Sequence, residues 1–294
     1  MGDGTAWTVR SIPATRDFRS VAYGNGIAVA VTSSSDKVIR SSDKGTTWTE
    51  HDAVGTGNDW RGVAYGNGVF VAVCRFGPDR VMTSTDGITW TARTPAQVNS
   101  WVSVTFGNGI FVAVAEGGTN RVMTSTDGIT WTARVSADDS AEWNYVTFGN
   151  GTFVGISHFN SSGVMTSTDG ITWTTRTPSS DDAWEVTYGN GTFVAVGGFG
   201  TARVMTSPDG ITWTDRTPSS LELWTAIAFG NNVFVAASYD GPTNIMTSPD
   251  GITWSAVAGT PATIGNVQSM TYADGVFISV SDSGGGADRV MTSP

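Results

Sequence analysis

Ionisable side chains in this 294-residue chain are mostly acidic, with 26 Asp and Glu against 16 Lys and Arg and two His. Close carboxylates such as Asp138-Asp139 and Asp181-Asp182 raise the question of a cation site, and acids facing one another across a cleft that of two-carboxylate glycoside cleavage, in which one carboxyl keeps its proton at neutral pH. Glu142, Glu185, Asp182 and Arg61 are the candidates for such a site. His51 and His158 are too far apart in sequence to show metal-ligand spacing, and no acidic cluster follows an EF-hand pattern. No metal and no cofactor is therefore expected. The single cysteine, Cys74, excludes an internal disulfide and a cysteine-based zinc site. No P-loop, nucleophile elbow or HExxH motif occurs. The balance favours a protein that binds over one that catalyses, and no catalytic residue is assigned.

The elements that position these residues come from a repeat. STDGITW occurs at 84–90, 125–131 and 167–173, SPDGITW at 207–213 and 248–254, and SSDKGTTW at 41–48. The tryptophans Trp7, Trp48, Trp90, Trp131, Trp173, Trp213 and Trp254 stand 40 to 42 residues apart. Seven repeats of about 42 residues account for residues 1–294 as one domain. Within a unit, 101–106 alternates as a strand does and ends on a Gly-Asn-Gly turn. Strands are then expected at 110–115, 121–125 and 129–134. Cys74 falls where other units have Thr32, Ala115, Ser157, Gly197, Ser238 and Ser281, so it reads as a small strand residue. Four strands per unit, seven times over, predict an all-β, seven-bladed propeller of four-stranded antiparallel blades with almost no helix. The chain ends on a third strand and begins, at 4–10, with a fourth. One blade is thus expected to be shared between the N- and C-termini, closing the ring.

Composition narrows the partners. A net charge of −10 with only two lysines, Lys37 and Lys44, argues against nucleic acid and anionic membrane surfaces. No apolar run approaches the roughly 18 residues of a membrane span. The first residues lack the pattern of a signal peptide. Residence in the cytoplasm, or assembly into a virion or surface structure, is the expectation.

Ser41-Ser42-Asp43-Lys44-Gly45-Thr46-Thr47-Trp48 resembles the Asp-box repeat, S-x-D-x-G-x-T-W, of sialidases, sortilin-like receptors and photosystem assembly factors. The other boxes are one residue shorter. The resemblance implies a structural turn, with Asp3, Asp43, Asp86, Asp127, Asp169, Asp209 and Asp250 accepting backbone N–H groups rather than acting as acids. Asp and Gly suit that role chemically. Arg10-Ser11-Ile12-Pro13 also resembles the R-I-P motif of many sialidases. Because Arg93, Arg176 and Arg216 recur at the equivalent place, Arg10 reads as an outer-strand repeat position.

Differences between units concentrate in the loop entering strand one and the loop between strands two and three, which share one face of a propeller. These loops carry many of the acids, including Asp17, Asp59, Asp79, Glu116, Asp138, Asp139, Glu142, Asp181, Asp182, Glu222, Asp240 and Asp282. At the start of strand one stand Phe18, Trp60, Trp101, Trp143 and Trp224, with Trp184 one residue closer to its turn. They are either packing between blades or a ring of stacking platforms for sugars. Beside them are Arg19, Arg61, Val102, Asn144, Glu185, Thr225 and Gln268. The ligand-binding candidates are Phe18, Arg19, Trp60, Arg61, Trp101, Trp143, Asn144, Trp184, Glu185 and Trp224. The expected function is non-enzymatic recognition by a glycan-binding or adhesive propeller, as a component of a phage or bacterial surface, with a glycan or a protein surface as its partner. A sialidase-like glycoside hydrolase and a protein-docking scaffold are the alternatives.

Overall fold

Seven four-stranded antiparallel sheets form the ring that the repeat predicts. The structure, a computed structural model, describes residues 3–33, 35–158, 163–180, 182–199, 203–239, 245–261, 266–282 and 289–293. Asp181 and Asp240 of the acidic loops, and the terminal Pro294, lie outside the described residues. Among the described residues there is no helix, and so none long and apolar enough to cross a membrane.

The third blade illustrates the local logic. Its strands are Ser100–Gly107, Ile110–Gly117, Val122–Ser125 and Thr132–Arg134. Asn108 and Gly109 both adopt positive φ, 53° and 80°, the geometry that lets a two-residue turn follow the twist of its strands. The fourth strand starts three residues later than the pattern 129–134 suggests. Ile129 and Thr130 donate their backbone N–H groups to the Asp127 carboxylate, each at 2.8 Å, so they belong to the turn and cannot join the ladder. The same turn shortens the first strand of the chain to Thr8–Val9, where 4–10 is expected.

All seven box aspartates accept at least one such backbone bond, Asp3 from Thr5 at 3.0 Å and Asp43 from Thr47 at 2.9 Å. Asp86, Asp169, Asp209 and Asp250 each receive two, as Asp127 does. These bonds hold the carboxyls below the ordinary carboxylate pKa. Arg10 donates from Nε to Thr292 on the third strand of its sheet. Arg93, Arg134, Arg176 and Arg216 make the equivalent bond to Thr83, Thr124, Thr166 and Thr206.

Second strands such as Ile110–Gly117 are apolar on both faces because each is sandwiched between two blades. The cores accordingly mix residues of neighbours: Trp101, Phe111 and Met123 pack with Val71, Val73 and Val81 of the blade before. Gly66 shows how close the blades approach. A Cβ there would lie 2.1 Å from the Phe106 ring, so only a glycine lets that ring rest on the strand end.

The last sheet joins both ends of the chain. Its order is Thr8–Val9, Val290–Ser293, Val276–Ser281, Val267–Ala273, with Thr8 opposite Thr292 and Val9 opposite Met291. The first strands of the other six blades, with Val267–Ala273, stand next to one another around the axis and form the wall of the central channel.

Candidate functional site

Each channel-lining strand begins with an irregularity. Phe18 pairs with Thr32 and Ser20 with Val31, leaving Arg19 outside the ladder. Such a bulge re-aims the extra side chain away from its expected face. The residues bulged in this way are Arg19, Arg61, Val102, Asn144, Trp184, Thr225 and Gln268. All seven line one cavity of about 210 Å³ at the channel mouth. A position that is geometrically constant in a closely copied scaffold therefore carries seven different neighbourhoods and six residue types.

The register corrects the sequence alignment in blade five. Trp184, not Glu185, is the bulged residue, and Ala183 occupies the place that Trp143 or Trp224 fills elsewhere. Glu185 falls one step deeper, at the position of Ser20, Gly62, Ser103, Tyr145, Ala226 and Ser269. The shortened spacing between Trp184 and its turn carried this information.

The predicted aromatic platforms divide sharply. Phe18, Trp60, Trp101, Trp143 and Trp224 are 0% exposed. They pack between blades, and the Nε1 of Trp101, Trp143 and Trp224 donates to the carbonyls of Gln97, Asp138 and Ser220. None can stack a ligand without dismantling the core, so these five are corrected to packing residues. Trp184 alone of the aromatic candidates lines the cavity. It joins Arg19, Arg61, Asn144 and Glu185 there.

Charges at the mouth are mostly paired. Arg19 donates to Asp282 at 2.6 Å and to Gln268 at 3.0 Å, and Arg61 bonds Asp59 at 2.8 Å. Burial lowers the Arg61 pKa from its ordinary value, opposed by Asp59. Glu116 pairs with Arg75, whose guanidinium lies 4.7 Å from the centre of the Phe76 ring. Burial would raise the Asp182 carboxyl, but bonds from His158, Trp184, Gly198 and Phe199 hold it below its usual range. Those bonds fix a small aromatic rim: Trp184 meets His158 edge-on at 4.6 Å, and Phe199, half exposed, lies 6.5 Å from Trp184.

Glu185 differs from all of these. It is 2% exposed; its Oε2 accepts from the Ile227 backbone N–H at 3.0 Å, and its buried Oε1 makes no hydrogen bond of good geometry. Burial pushes the carboxyl up to about 8, opposed by hydrogen bonds from the Tyr145 phenol and the Ile227 N–H. Burial and that neighbouring carboxyl raise Tyr145 in turn. Tyr145 and Glu116 were not among the sequence candidates. Tyr145 did carry a signal: Tyr23, Tyr65, Tyr188 and Tyr272 alternate with Phe at one repeat position, and Tyr145 falls outside it.

The two-carboxylate arrangement is not assembled from its sequence candidates. Of Glu142, Glu185 and Asp182, only Glu185 lines the cavity, and Glu142 is exposed. Among the described residues no group of three His, Cys, Asp or Glu is placed to hold a metal. Cys74 is buried, with its thiol pushed up to about 11 by desolvation and bonded to the Phe76 carbonyl at 2.6 Å.

Residues 3–142 match the family model described as the DUF6242 beta propeller domain. No curated protein matches the chain. Among solved structures it is similar to YCF48 bound to D1 peptide, with 15% identity, a TM-score of 0.73, and coverage of 98% of this chain and 96% of that one. It is similar also to a streptogramin B lyase, at 13% identity and a TM-score of 0.82 over 98% of this chain and 96% of that one. A catalytically inactive virginiamycin B lyase from Staphylococcus aureus, with quinupristin, shows 13% identity and a TM-score of 0.79 over 98% of each chain. At such identities the likeness is one of fold.

Proposed function

We propose that the chain is a non-enzymatic recognition module that docks a polypeptide at the channel mouth. The carrying observation is the set of bulged residues: an otherwise copied scaffold holds Arg19, Arg61, Val102, Asn144, Trp184, Thr225 and Gln268 at one geometric position around one cavity. Structural duty would favour one residue type there, as it does in the boxes. Variation at a constant position fits selection for a particular ligand shape. The exposed rim of Phe199, with Trp184 beside it, gives an approaching chain an apolar foothold of the kind that anchors protein contacts. That YCF48, a propeller of similar fold, is seen with a peptide supports this reading by analogy of architecture.

A glycan remains the second reading, favoured by Trp184 next to the Asp182 carboxylate, an aromatic face beside hydrogen-bonding oxygens. Burial of the other five aromatics removes the multivalent ring on which sugar stacking would have rested. The test presents wild-type protein and the Trp184→Ala and Arg61→Ala variants to a displayed random-peptide library and a glycan array in parallel. Peptide binding lost in both variants supports docking. Glycan binding alone, lost in the same variants, overturns it in favour of the second reading.

A further inference from the structure

We propose that the cavity takes a primary ammonium group, presented as a lysine side chain of the docked polypeptide and seated against Glu185. This rests on the docking reading and specifies what enters. Position by position, the repeat shows what Glu185 must do structurally. Ser20 accepts from Val63 N–H at 3.2 Å, Ser103 from Val146 at 3.2 Å and Ser269 from Val21 at 3.4 Å, each across a blade boundary. Glu185 does the same for Ile227 with Oε2 alone. A hydroxyl suffices for that bond, so the buried Oε1, which makes no hydrogen bond of good geometry, is not needed for it; the carboxyl's other neighbour is the Tyr145 phenol, which bonds it from the adjoining blade. Once ionised, a buried carboxylate held by one backbone N–H and the Tyr145 phenol is costly, and a further, cationic donor can come from a ligand in the cavity it lines.

The surroundings select the donor. Blades four, five and six supply Tyr145, Glu185 and Thr225; the Thr225 hydroxyl donates to the Val267 carbonyl at 2.6 Å, which leaves its lone pairs as acceptors. Three oxygen acceptors on adjacent blades suit the three N–H bonds of an ammonium. Tyr145 is the titratable group against Glu185, whose ladder partner is Val196 and whose contact in the next blade is Ile227. Across the cavity, Arg19 and Arg61 are matched by Asp282 and Asp59, and Glu116 by Arg75. At the rim, Asp182 lies 2.8 Å from His158. Among the described residues no cation counters the effect of burial on Glu185. A net charge of −10 draws cationic ligands toward the molecule.

Seating the ammonium exchanges one proton: the Glu185 carboxyl gives its proton to solvent and the carboxylate pairs with the ligand cation. The probe is n-butylammonium chloride, with n-butanol as control, titrated calorimetrically in phosphate and in HEPES. With the carboxyl near 8, affinity should fall roughly fiftyfold from pH 8 to pH 6, with about 0.9 proton released at pH 7. Glu185→Ser restores the residue that blades one, three and seven use, so it should fold and melt no lower than wild type while losing the amine. Affinity independent of pH, equal affinity in Glu185→Ser, or no binding of n-butylammonium overturns the inference. Peptides that bind wild type and Glu185→Ser alike, without preference for lysine, overturn it while leaving the docking reading intact. If no peptide binds at all, the docking reading falls, and the amine titration still decides the ammonium site by itself.

Discussion

Glu185 bonds the backbone N–H of Ile227 at 3.0 Å across a blade boundary, with the oxygen that does the work of a serine hydroxyl elsewhere in the ring. That cross-blade bond does not need the second oxygen, and the Tyr145 phenol bonds the carboxyl from the other side. Burial of the carboxyl has a consequence for stability. The folded-state pKa, about 8, lies above the ordinary 4.5, so the folded chain holds a proton that the unfolded chain releases. Stability from this group is fully present below about pH 4.5 and is lost as pH rises through 8. Glu185→Gln cannot titrate. The melting temperature of wild type relative to Glu185→Gln should therefore drop between pH 6 and pH 9. A constant difference would mean that the carboxyl is solvated.

The box carboxylates have the opposite sign. Asp127 is held below its ordinary 3.8 by backbone bonds from Thr130 and Ile129, so its contribution is present above 3.8 and lost as pH falls through the lower folded value. Asp127→Ala should lower stability by about 1 kcal/mol or less, in the range of a lost cap on an exposed turn. The penalty should vanish in melts below pH 3.

Buried and cavity-lining tryptophans should separate stability from binding. Trp143→Ala removes a fully buried side chain from an interblade core and should cost about 3–5 kcal/mol. Trp184→Ala should leave chemical denaturation within about 1 kcal/mol of wild type, since the side chain is half-buried at a cavity edge. A Trp184→Ala protein that unfolds as readily as Trp143→Ala would assign Trp184 to the core.

Closure of the ring predicts the effect of truncation. Removing residues 289–294 deletes the strand between Thr8–Val9 and Val276–Ser281, and with it the buried Val290 and Met291. Loss of several kcal/mol and aggregation through the opened edges are expected in thermal melts with light scattering. A truncated chain that melts like the full chain would contradict the role of the shared sheet.

The blades were legible because their determinants are local and repeated sevenfold: Asn-Gly turns, alternating strands and the box. The channel mouth was half legible. Arg19, Arg61 and Asn144 could be placed there by counting from the turns. The same counting misassigned Glu185, because a bulge adds a residue without a sequence mark and blade five puts its tryptophan in the bulge instead of before it. Whether an aromatic at a strand start faces a neighbouring blade or solvent depends on interblade distance, which no single repeat encodes. Sequence therefore leaves Phe18 and Trp60 open to either role, and their place in the interblade cores assigns them to packing.

The claim that the cavity at Glu185 is the recognition site is tested most directly by carbon NMR of the side-chain carboxyls. The chain has only five glutamates, Glu50, Glu116, Glu142, Glu185 and Glu222, so selectively labelled protein gives a countable spectrum. In the free protein one carboxyl should titrate near pH 8, and that signal should be missing from Glu185→Gln. With n-butylammonium or a lysine-bearing peptide bound, the same carboxyl should already be ionised at pH 6.5. Five glutamates all titrating in the ordinary range near 4.5, or a Glu185 titration that ligand leaves unmoved, would contradict it.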